Sequence, residues 1–599
     1  MLKYLTKPTC VNPLTKFFMK KASILALSLM LLFSCKEKSK DQDQVSGTEQ
    51  SNATLYYGGD ILTMEGDSPQ YVEAIVQKDG KIVFIGSKAD ALKSFDHKIT
   101  EVDLKGKTLM PAFLDGHGHF FNVGFFSMCA NLLPAPDGPG NSIAGIVETM
   151  NGYKNSENGK YLIDKMGWIL GSGYDDSQLE EKNHPKATDL DKISTEFPVM
   201  ITHQSGHLAV LNTKALKLLN LSKDSKDPQG GIIRRDKNGN PNGVLEEAAF
   251  FQAIFPILGK MDEEISMECI KRGQEEYASN GYLTAQDGRT TPDQLTSLST
   301  AAKKDLYYID VVAYPDIALG TDYISQTDYG PSPEYKDNFR IGGVKLTLDG
   351  SPQGKTAWLS KCYHVNPEGR TGCYEGYPVM PDSVATKLVK TAFENKWQII
   401  CHSNGDAAID QYISAVEAAE KEFGYPDHRT VLIHGQTLRK DQIPDLVRLN
   451  MYASLFPMHT FYWGDWHLES VLGEPRASYI SPTRDVLDAG INLTSHHDAP
   501  VTLPKSMRVL DATINRITRS GKILGPDQRL TPYEGLKTLT SYAAKQYFEE
   551  NKKGTLSNGK LADFVILDKN PLKIDPLDIH DIKIMESIKE GKTVYTHKL

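Results

Sequence analysis

The sequence predicts an α/β protein built on a (β/α)8 TIM barrel with a small β-sandwich, and two observations carry that expectation. A short apolar strand, then a polar or glycine-bearing stop, then helical sequence recurs eight times through the middle of the chain. Strands alternating with helices pair as parallel β/α units, and eight units close a barrel whose chemistry sits at the C-terminal strand ends. β-rich runs stand at both ends of the chain. They pack most economically together, as a small β-sandwich of residues 53–108 plus 554–599 beside a barrel of residues 109–553.

Residues 1–35 read as an export signal. Lys20 and Lys21 precede "ASILALSLMLLFSC", a basic start and a short apolar stretch with Met19 as the natural start. Its end, "LFSC", resembles the lipobox of bacterial lipoproteins, which makes Cys35 the expected lipidation site. Lys36 stands where an aspartate commonly retains such proteins at the inner membrane, so outer-membrane anchoring is the expectation. Residues 36–52, "KEKSKDQDQVSGTEQSN", have the composition of a polar tether.

Next comes "YVEAIVQKDGKIVFIGS", where Asp79-Gly80 between apolar strands predicts a hairpin turn. The closing runs "GTLSNGKLADFVILD" and "IKIMESIKEGKTVYTHK" repeat the pattern. The eight strands are "TLMPAFLDGH", "GYLTAQDG", "LYYIDVVAYP", "GVKLTLDG", "WQIICHSNGD", "TVLIHGQ", "MYASLFPMH" and "INLTSHHDAP". In "AAIDQYISAVEAAEKEF", Ile409, Ile413 and Val416 mark the apolar face of a helix. Between the first two strands the chain detours over about 120–280. A βα connection so long is uncommon unless it forms a functional cap.

Bulk properties bound the function. The chain has 599 residues, 40% hydrophobic and 24% charged, an ordinary globular composition. Its net charge of −9 argues against a nucleic-acid surface. No stretch reaches the roughly 20 apolar residues of a membrane span, leaving the lipid anchor as the expected membrane attachment. Seven cysteines without a C-x-x-C do not make a disulfide scaffold. Cys362 and Cys373 flank "YHVNPEGRTG", and pairing and two free thiols are both open. A homo-oligomer is left open too.

"LMPAFLDGHGHFF" places His117 and His119 together at a strand end, since residues i and i+2 face one way. Other expected strand ends carry Lys345, His402, His434 and Asp498. Histidine and carboxylate are zinc-type ligands, and a barrel brings scattered strand ends to one mouth. Six such residues on five strands are hard to assign to packing.

The ordered motifs "PAFLDGHGHFF", "GVKLTLDGSPQGKTAW", "HSNGDAAID", "IHGQ" and "SHHDAPV", with "GWILGSGYDD", "HQSGHLAVLNTKAL" and "GGIIRRDKNGNPNGVLEE" in the detour, resemble the amidohydrolase superfamily. The likeness is to its amidohydrolase-3 branch, which includes N-substituted formamide deformylase. The resemblance implies a divalent metal, one ion or two. His117 and His119 would bind the more buried metal and His402 and His434 the second. Lys345 would be an N-carboxylated bridge in a binuclear site. Asp498 would be both ligand and catalytic base, accepting a proton from metal-activated water and returning it to the leaving nitrogen. His207 matches a position near the substrate. The chain departs from the family at Gly116 and Gly118, where serine and a threonine-like residue are usual, and at His496 and His497, where smaller residues are usual. Either histidine is a substrate contact or filling. His203, His364, His459 and His467 have no supporting spacing, and the tryptophans of the detour and of "YWGDWH" line a pocket or fill core.

The expected activity is metal-dependent hydrolysis of non-peptide C–N bonds in a small molecule, with N-substituted amides foremost. Hydrolysis of a cyclic amide, amidine or ester by the same site is the alternative within enzymes. A catalytically silent binding lipoprotein is the alternative outside them.

Overall fold

A computed structural model describes residues 53–598 apart from 96–98 and 368–369. The expected leader, its lipidation site Cys35 and the tether of residues 36–52 lie outside the described residues. The described chain is an α/β structure of four sheets with helices between their strands, consistent with an amidohydrolase-type fold. Among the described residues no helix is long and apolar enough to cross a membrane.

Two of the sheets are wholly parallel and carry the eight expected strands. One runs Phe339–Ile341, Asp310–Pro315, Tyr282–Thr290, Phe113–Leu114. The other runs Gly343–Thr347, Gln398–Ser403, Val431–His434, Tyr452–Leu455, Leu493–Ser495. The sheets touch one another: Asp316, just after Asp310–Pro315, bridges to Lys345, and Ser454 Oγ in Tyr452–Leu455 donates to the Gly116 carbonyl at 3.2 Å. Their residues are buried on both faces, as expected of parallel strands covered by helices. The helix Asp406–Phe423 covers one connection with Ile409, Ile413 and Val416 inward, and it stops at Gly424, whose φ of 56° suits a residue without Cβ.

Two details differ from the sequence reading. Phe339–Ile341 is an additional strand, separated from Gly343–Thr347 by Gly342, where a Cβ would lie 2.6 Å from Val312. The stretch expected as one strand from Thr108 is two. Thr108–Pro111 pairs antiparallel with Phe564–Leu567, and only Phe113–Leu114 enters the parallel sheet.

That antiparallel pairing belongs to an eight-stranded sheet drawing on both ends of the described chain. Its order is Lys592–Thr596, Ile584–Lys589, Phe564–Leu567, Thr108–Pro111, Ala53–Leu62, Tyr71–Lys78, Lys81–Gly86, with Thr100–Asp103 also paired to Ala53–Leu62. Asp79 and Gly80 make the expected hairpin turn with φ of 51° and 78°. The detour builds a six-stranded mixed sheet from Ala130–Asn131 to Pro241–Glu247. Trp168 and Trp463 are core, 1% and 0% exposed.

A buried charge network joins the terminal sheet to the parallel strands. Lys553 Nζ lies 2.6 Å from Asp310 and 2.5 Å from Glu549, and donates to Thr284 at 3.0 Å. Lys589 reaches Asp310 at 2.9 Å and Asp563 at 3.0 Å, and Arg340 reaches Glu549 at 2.9 Å. Burial pushes the Asp310 and Glu549 carboxyls up, yet Lys553, with Lys589 or Arg340, outweighs it and holds both below the ordinary range. Removing one partner strands the others uncompensated, so we expect Lys553→Ala to lower stability by about 3–5 kcal/mol in urea denaturation; a loss under about 1 kcal/mol would refute the coupling. A lowered folded pKa stabilises above the unfolded value of about 4 and loses that contribution as pH falls through the folded value. The melting temperature should therefore drop below about pH 4, and less steeply in the variant.

Candidate functional site

The strand ends bring the predicted residues together. His117 follows Phe113–Leu114, Lys345 lies in Gly343–Thr347, and His402 lies in Gln398–Ser403. His434 closes Val431–His434, and Asp498 follows Leu493–Ser495. His117 Nε2 lies 3.1 Å from Lys345 Nζ and 3.5 Å from Asp498 Oδ1, which is 3.1 Å from His119 Nε2. The ring centroids of His402 and His434 are 4.5 Å apart, and His434 is 5.3 Å from His117. His434 and Asp498 both have left-handed backbone, φ 71° and 53°, a conformation that L-residues adopt at a cost and that clusters at functional sites. His207 comes from the detour, its ring 5.9 Å from that of His402.

Burial sets the electrostatics. It drives the His117, His402 and His434 pKa values well below the ordinary imidazole value, with Lys345 and neighbouring imidazoles adding to the effect. These rings are therefore neutral at neutral pH, and each offers one lone pair. Lys345, 1% exposed, is pushed down to about 8 by burial although Asp498 opposes the shift. His207 moves the other way: burial lowers its pKa, but the Glu247 carboxylate outweighs that and raises it.

Residues behind the rings choose the free nitrogen. His117 Nδ1 lies 2.6 Å from Gln286 Oε1, and Gln286 donates its amide N–H to Tyr547 at 2.7 Å. The amide is thus oriented so that Nδ1–H of His117 donates and its Nε2 lone pair faces Asp498 and Lys345. His402 Nε2 lies 3.1 Å from both the Gly350 carbonyl and the Asn404 amide nitrogen, which also donates to that carbonyl at 3.0 Å. The ligand atoms of His117, His119 and Asp498 lie within 4.8 Å of one another. Neutral imidazoles with a carboxylate and a buried amine make a donor set that fits a divalent cation, and the site supports a divalent metal cofactor.

Gln286 and the Gly350 carbonyl have no place in a search for ligands by residue type, whereas Asp115 is of ligand type but is engaged by the supports of the site. Asp115 accepts from the His117 N–H at 2.9 Å and from Tyr277 at 3.0 Å, with His497 Nε2 3.2 Å away. A Cβ at Gly118 would stand 2.4 Å from the Tyr277 hydroxyl, 2.6 Å from Asp115 Oδ2 and 2.9 Å from His497, so this position leaves no room for a side chain. His496, fully buried, links Ser454 Oγ at 2.9 Å to His434 Nδ1 at 3.1 Å. Both histidines thus sit behind the site as supports.

Other clusters stand apart. His203 lies between Asp175 and Asp176 at 3.6 and 3.0 Å, and Asp175 is further bonded to Ser177 and Trp463. His459 pairs with His467 at 3.0 Å. A cavity of about 670 Å³ lined by Leu359, Arg439, Arg476 and Tyr479 adjoins the loops after His402 and His434 but contains none of the site histidines. Cys362 and Cys373 are disulfide-bonded, while Cys129, Cys269 and Cys401 are free and buried.

Comparison with known proteins agrees with this geometry. Residues 100–595 match the model of the amidohydrolase family. Protein LONG AFTER FAR-RED 3 of Arabidopsis thaliana is 26% identical over 90% of this chain and 91% of its own. The N-substituted formamide deformylase of Arthrobacter pascens is 22% identical over 87% and 95%. The crystal structure of a metal-dependent hydrolase of Pyrococcus horikoshii aligns with a TM-score of 0.69 at 26% identity, covering 91% of this chain and all of that one. The chain belongs to the amidohydrolase family, and its His/Asp cluster is consistent with metal-activated hydrolysis of C–N bonds.

If Gln286 selects the His117 tautomer, Gln286→Leu should weaken zinc affinity by about 10–100-fold in a chelator competition. Unchanged affinity would mean that the Gln286 contact is packing alone.

Proposed function

We propose that this amidohydrolase hydrolyses an N-substituted amide of a small molecule, and that the two parallel sheets are halves of one closed (β/α)8 barrel whose mouth holds zinc. The convergence of His117, His119, His402, His434, Lys345 and Asp498 on one buried point carries the reading. The relative named N-substituted formamide deformylase supports the substrate class. The terminal strands, residues 53–108 and 554–599, would form the sandwich domain beside the barrel of residues 109–553.

His117 and His119 would hold one cation with Asp498, and His402 and His434 a second. A lysine amine with a pKa near 8 is partly neutral at physiological pH. Neutral amine is the form that adds CO2, which supports carboxylated Lys345 as an anionic bridge. A divalent cation in such a site supplies Lewis-acid activation that lowers the pKa of water from 15.7 toward about 7. Asp498, 3.1 Å from His119 Nε2, is placed to take the proton of the attacking water and deliver it to the leaving nitrogen. His207 would contact the substrate from the detour.

Export as a lipoprotein through Cys35, to the outer membrane, is part of the same proposal. The Cys362–Cys373 disulfide supports it, because disulfides persist in oxidising compartments.

The test is metal analysis of the full-length protein together with amide hydrolysis. We expect near two zinc per chain, fewer in Lys345→Ala, and a loss of at least about a hundredfold in turnover for Asp498→Asn with the fold intact. Full activity in Asp498→Asn would overturn the mechanism, and an unchanged zinc content in Lys345→Ala would overturn the bridge.

A further inference from the structure

The strand Tyr282–Thr290 supplies Gln286 to His117 and then falls out of step with its neighbour. Asp287 pairs with Ala313 and Thr290 with Pro315, three residues advancing against two. A bulge of this kind re-aims a side chain and is common beside active sites. Within it, Gly288 lies against His117, where a Cβ would stand 2.3 Å from the ring Cε1. Arg289 comes next. It is the single residue of the strand that is not buried, and its side chain keeps 35% of its surface open.

The guanidinium is held at one nitrogen and free at two. Arg289 Nε donates to Asp316 Oδ2 at 2.9 Å, while Nη1 and Nη2 have no hydrogen-bond partner among the described residues. No other carboxylate of those residues lies within 4.0 Å of it. Asp316 is a rigid holder. It is 2% exposed, its Oδ1 accepts the Ala318 N–H at 3.0 Å, its own N–H donates to the Thr290 carbonyl at 3.1 Å, and it bridges to Lys345. Phe251, on the helix Ala248–Leu258 of the detour, lies 5.3 Å from Arg289 Cζ, and its other neighbour is the His207 ring at 6.1 Å. Phe255 stacks on Phe251 at 5.8 Å and is 51% exposed, so an aromatic strip runs from Arg289 to the surface. An exposed ion pair serving stability alone is worth about 0–1 kcal/mol and needs neither a bulge nor a buried, fully bonded holder. A guanidinium fixed at Nε with both Nη groups open is preorganised to take a carboxylate in bidentate fashion.

We propose that Arg289 sets the specificity of the candidate site, clamping a carboxylate carried by the amide substrate through Nη1 and Nη2 while an apolar part of that substrate packs on Phe251. This rests on the amide-hydrolase reading above and narrows it to anionic amides. Asp316 is the positioning residue of the clamp. The carboxylate sits in either the acyl or the amine portion of the substrate, since the same fork would bind both, and the test separates the two.

The test uses the zinc-loaded full-length protein and three amides that share a phenyl ring. N-formylphenylalanine has its carboxylate in the amine portion, N-benzylsuccinamate has it in the acyl portion, and N-formylphenethylamine is neutral. We expect kcat/KM for one of the anionic amides to exceed that of the neutral one by about 10–100-fold. Arg289→Gln should erase that preference, chiefly through KM, and Arg289→Lys, which keeps the charge and loses the fork, should retain only part of it. In calorimetry with Asp498→Asn, which holds the amide without turnover, adding Arg289→Gln should weaken binding of the preferred anion by a similar factor. A merely structural arginine would move all three amides together. An unchanged preference in Arg289→Gln, or in Arg289→Lys if the former does not fold, overturns the clamp and leaves the amide reading standing. So does a wild-type protein that hydrolyses the neutral amide as well as both anions. Arg289-dependent binding of an anionic amide with hydrolysis of none of the three overturns the amide reading alone, and neither binding nor hydrolysis overturns both.

Discussion

The structure depends on keeping a group of imidazoles buried, adjacent and uncharged. His117, His434 and His496 are each 2% exposed or less and lie within a few ångströms of one another or of Lys345. Protonating any of them would place like charges together in a medium that solvates none of them. Each neutral ring has one N–H to place, and the protein supplies a separate acceptor or donor for nearly every nitrogen: Gln286 for His117, Gly350 for His402, Ser454 for His496, the Ala499 N–H for His497. Those partners come from different strands, so the strands must arrive in register for any ring to be satisfied. The chemistry of the site and the specification of the fold are here one requirement.

A second requirement is to anchor the short strand that carries His117 and His119. Phe113–Leu114 has only two residues in the parallel sheet. Its hold comes from the neighbouring Thr108–Pro111 strand in the terminal sheet and from Tyr547 and Gln546, which donate to the Asp115 and Gly116 carbonyls. The buried lysine–carboxylate network ties the same terminal sheet to Thr284 and Asp310. Paired ions of this kind fix geometry more than they add stability.

Much of this was legible in the sequence because the signals were periodic or chemical. The eight strands were visible as apolar runs ending at polar stops, and Ile409, Ile413 and Val416 do face inward. The histidines, Lys345 and Asp498 stood out as metal-type residues at strand ends, and they do converge, though convergence is geometry and not yet role. What was not legible is what depends on contacts distant in sequence. Gln286 is 169 residues from His117, and nothing in "GYLTAQDG" marks a glutamine that orients a ring. The strand break at Pro111–Phe113 failed because "TLMPAFL" is apolar throughout, so pattern alone cannot say where one sheet hands over to another.

The antiparallel pairing of Thr108–Pro111 with Phe564–Leu567 also bears on how the molecule comes to exist. Pairings that span most of a chain close the largest loops and form late. The strand bearing His117 and His119 can be synthesised early, yet one of its two flanking supports arrives only with the last few dozen residues. During synthesis the two histidines are therefore present long before they are fixed, and the candidate site is among the last parts to mature. A truncated or stalled chain would expose imidazoles and apolar strand edges together, a species suited to quality control and not to loading with metal.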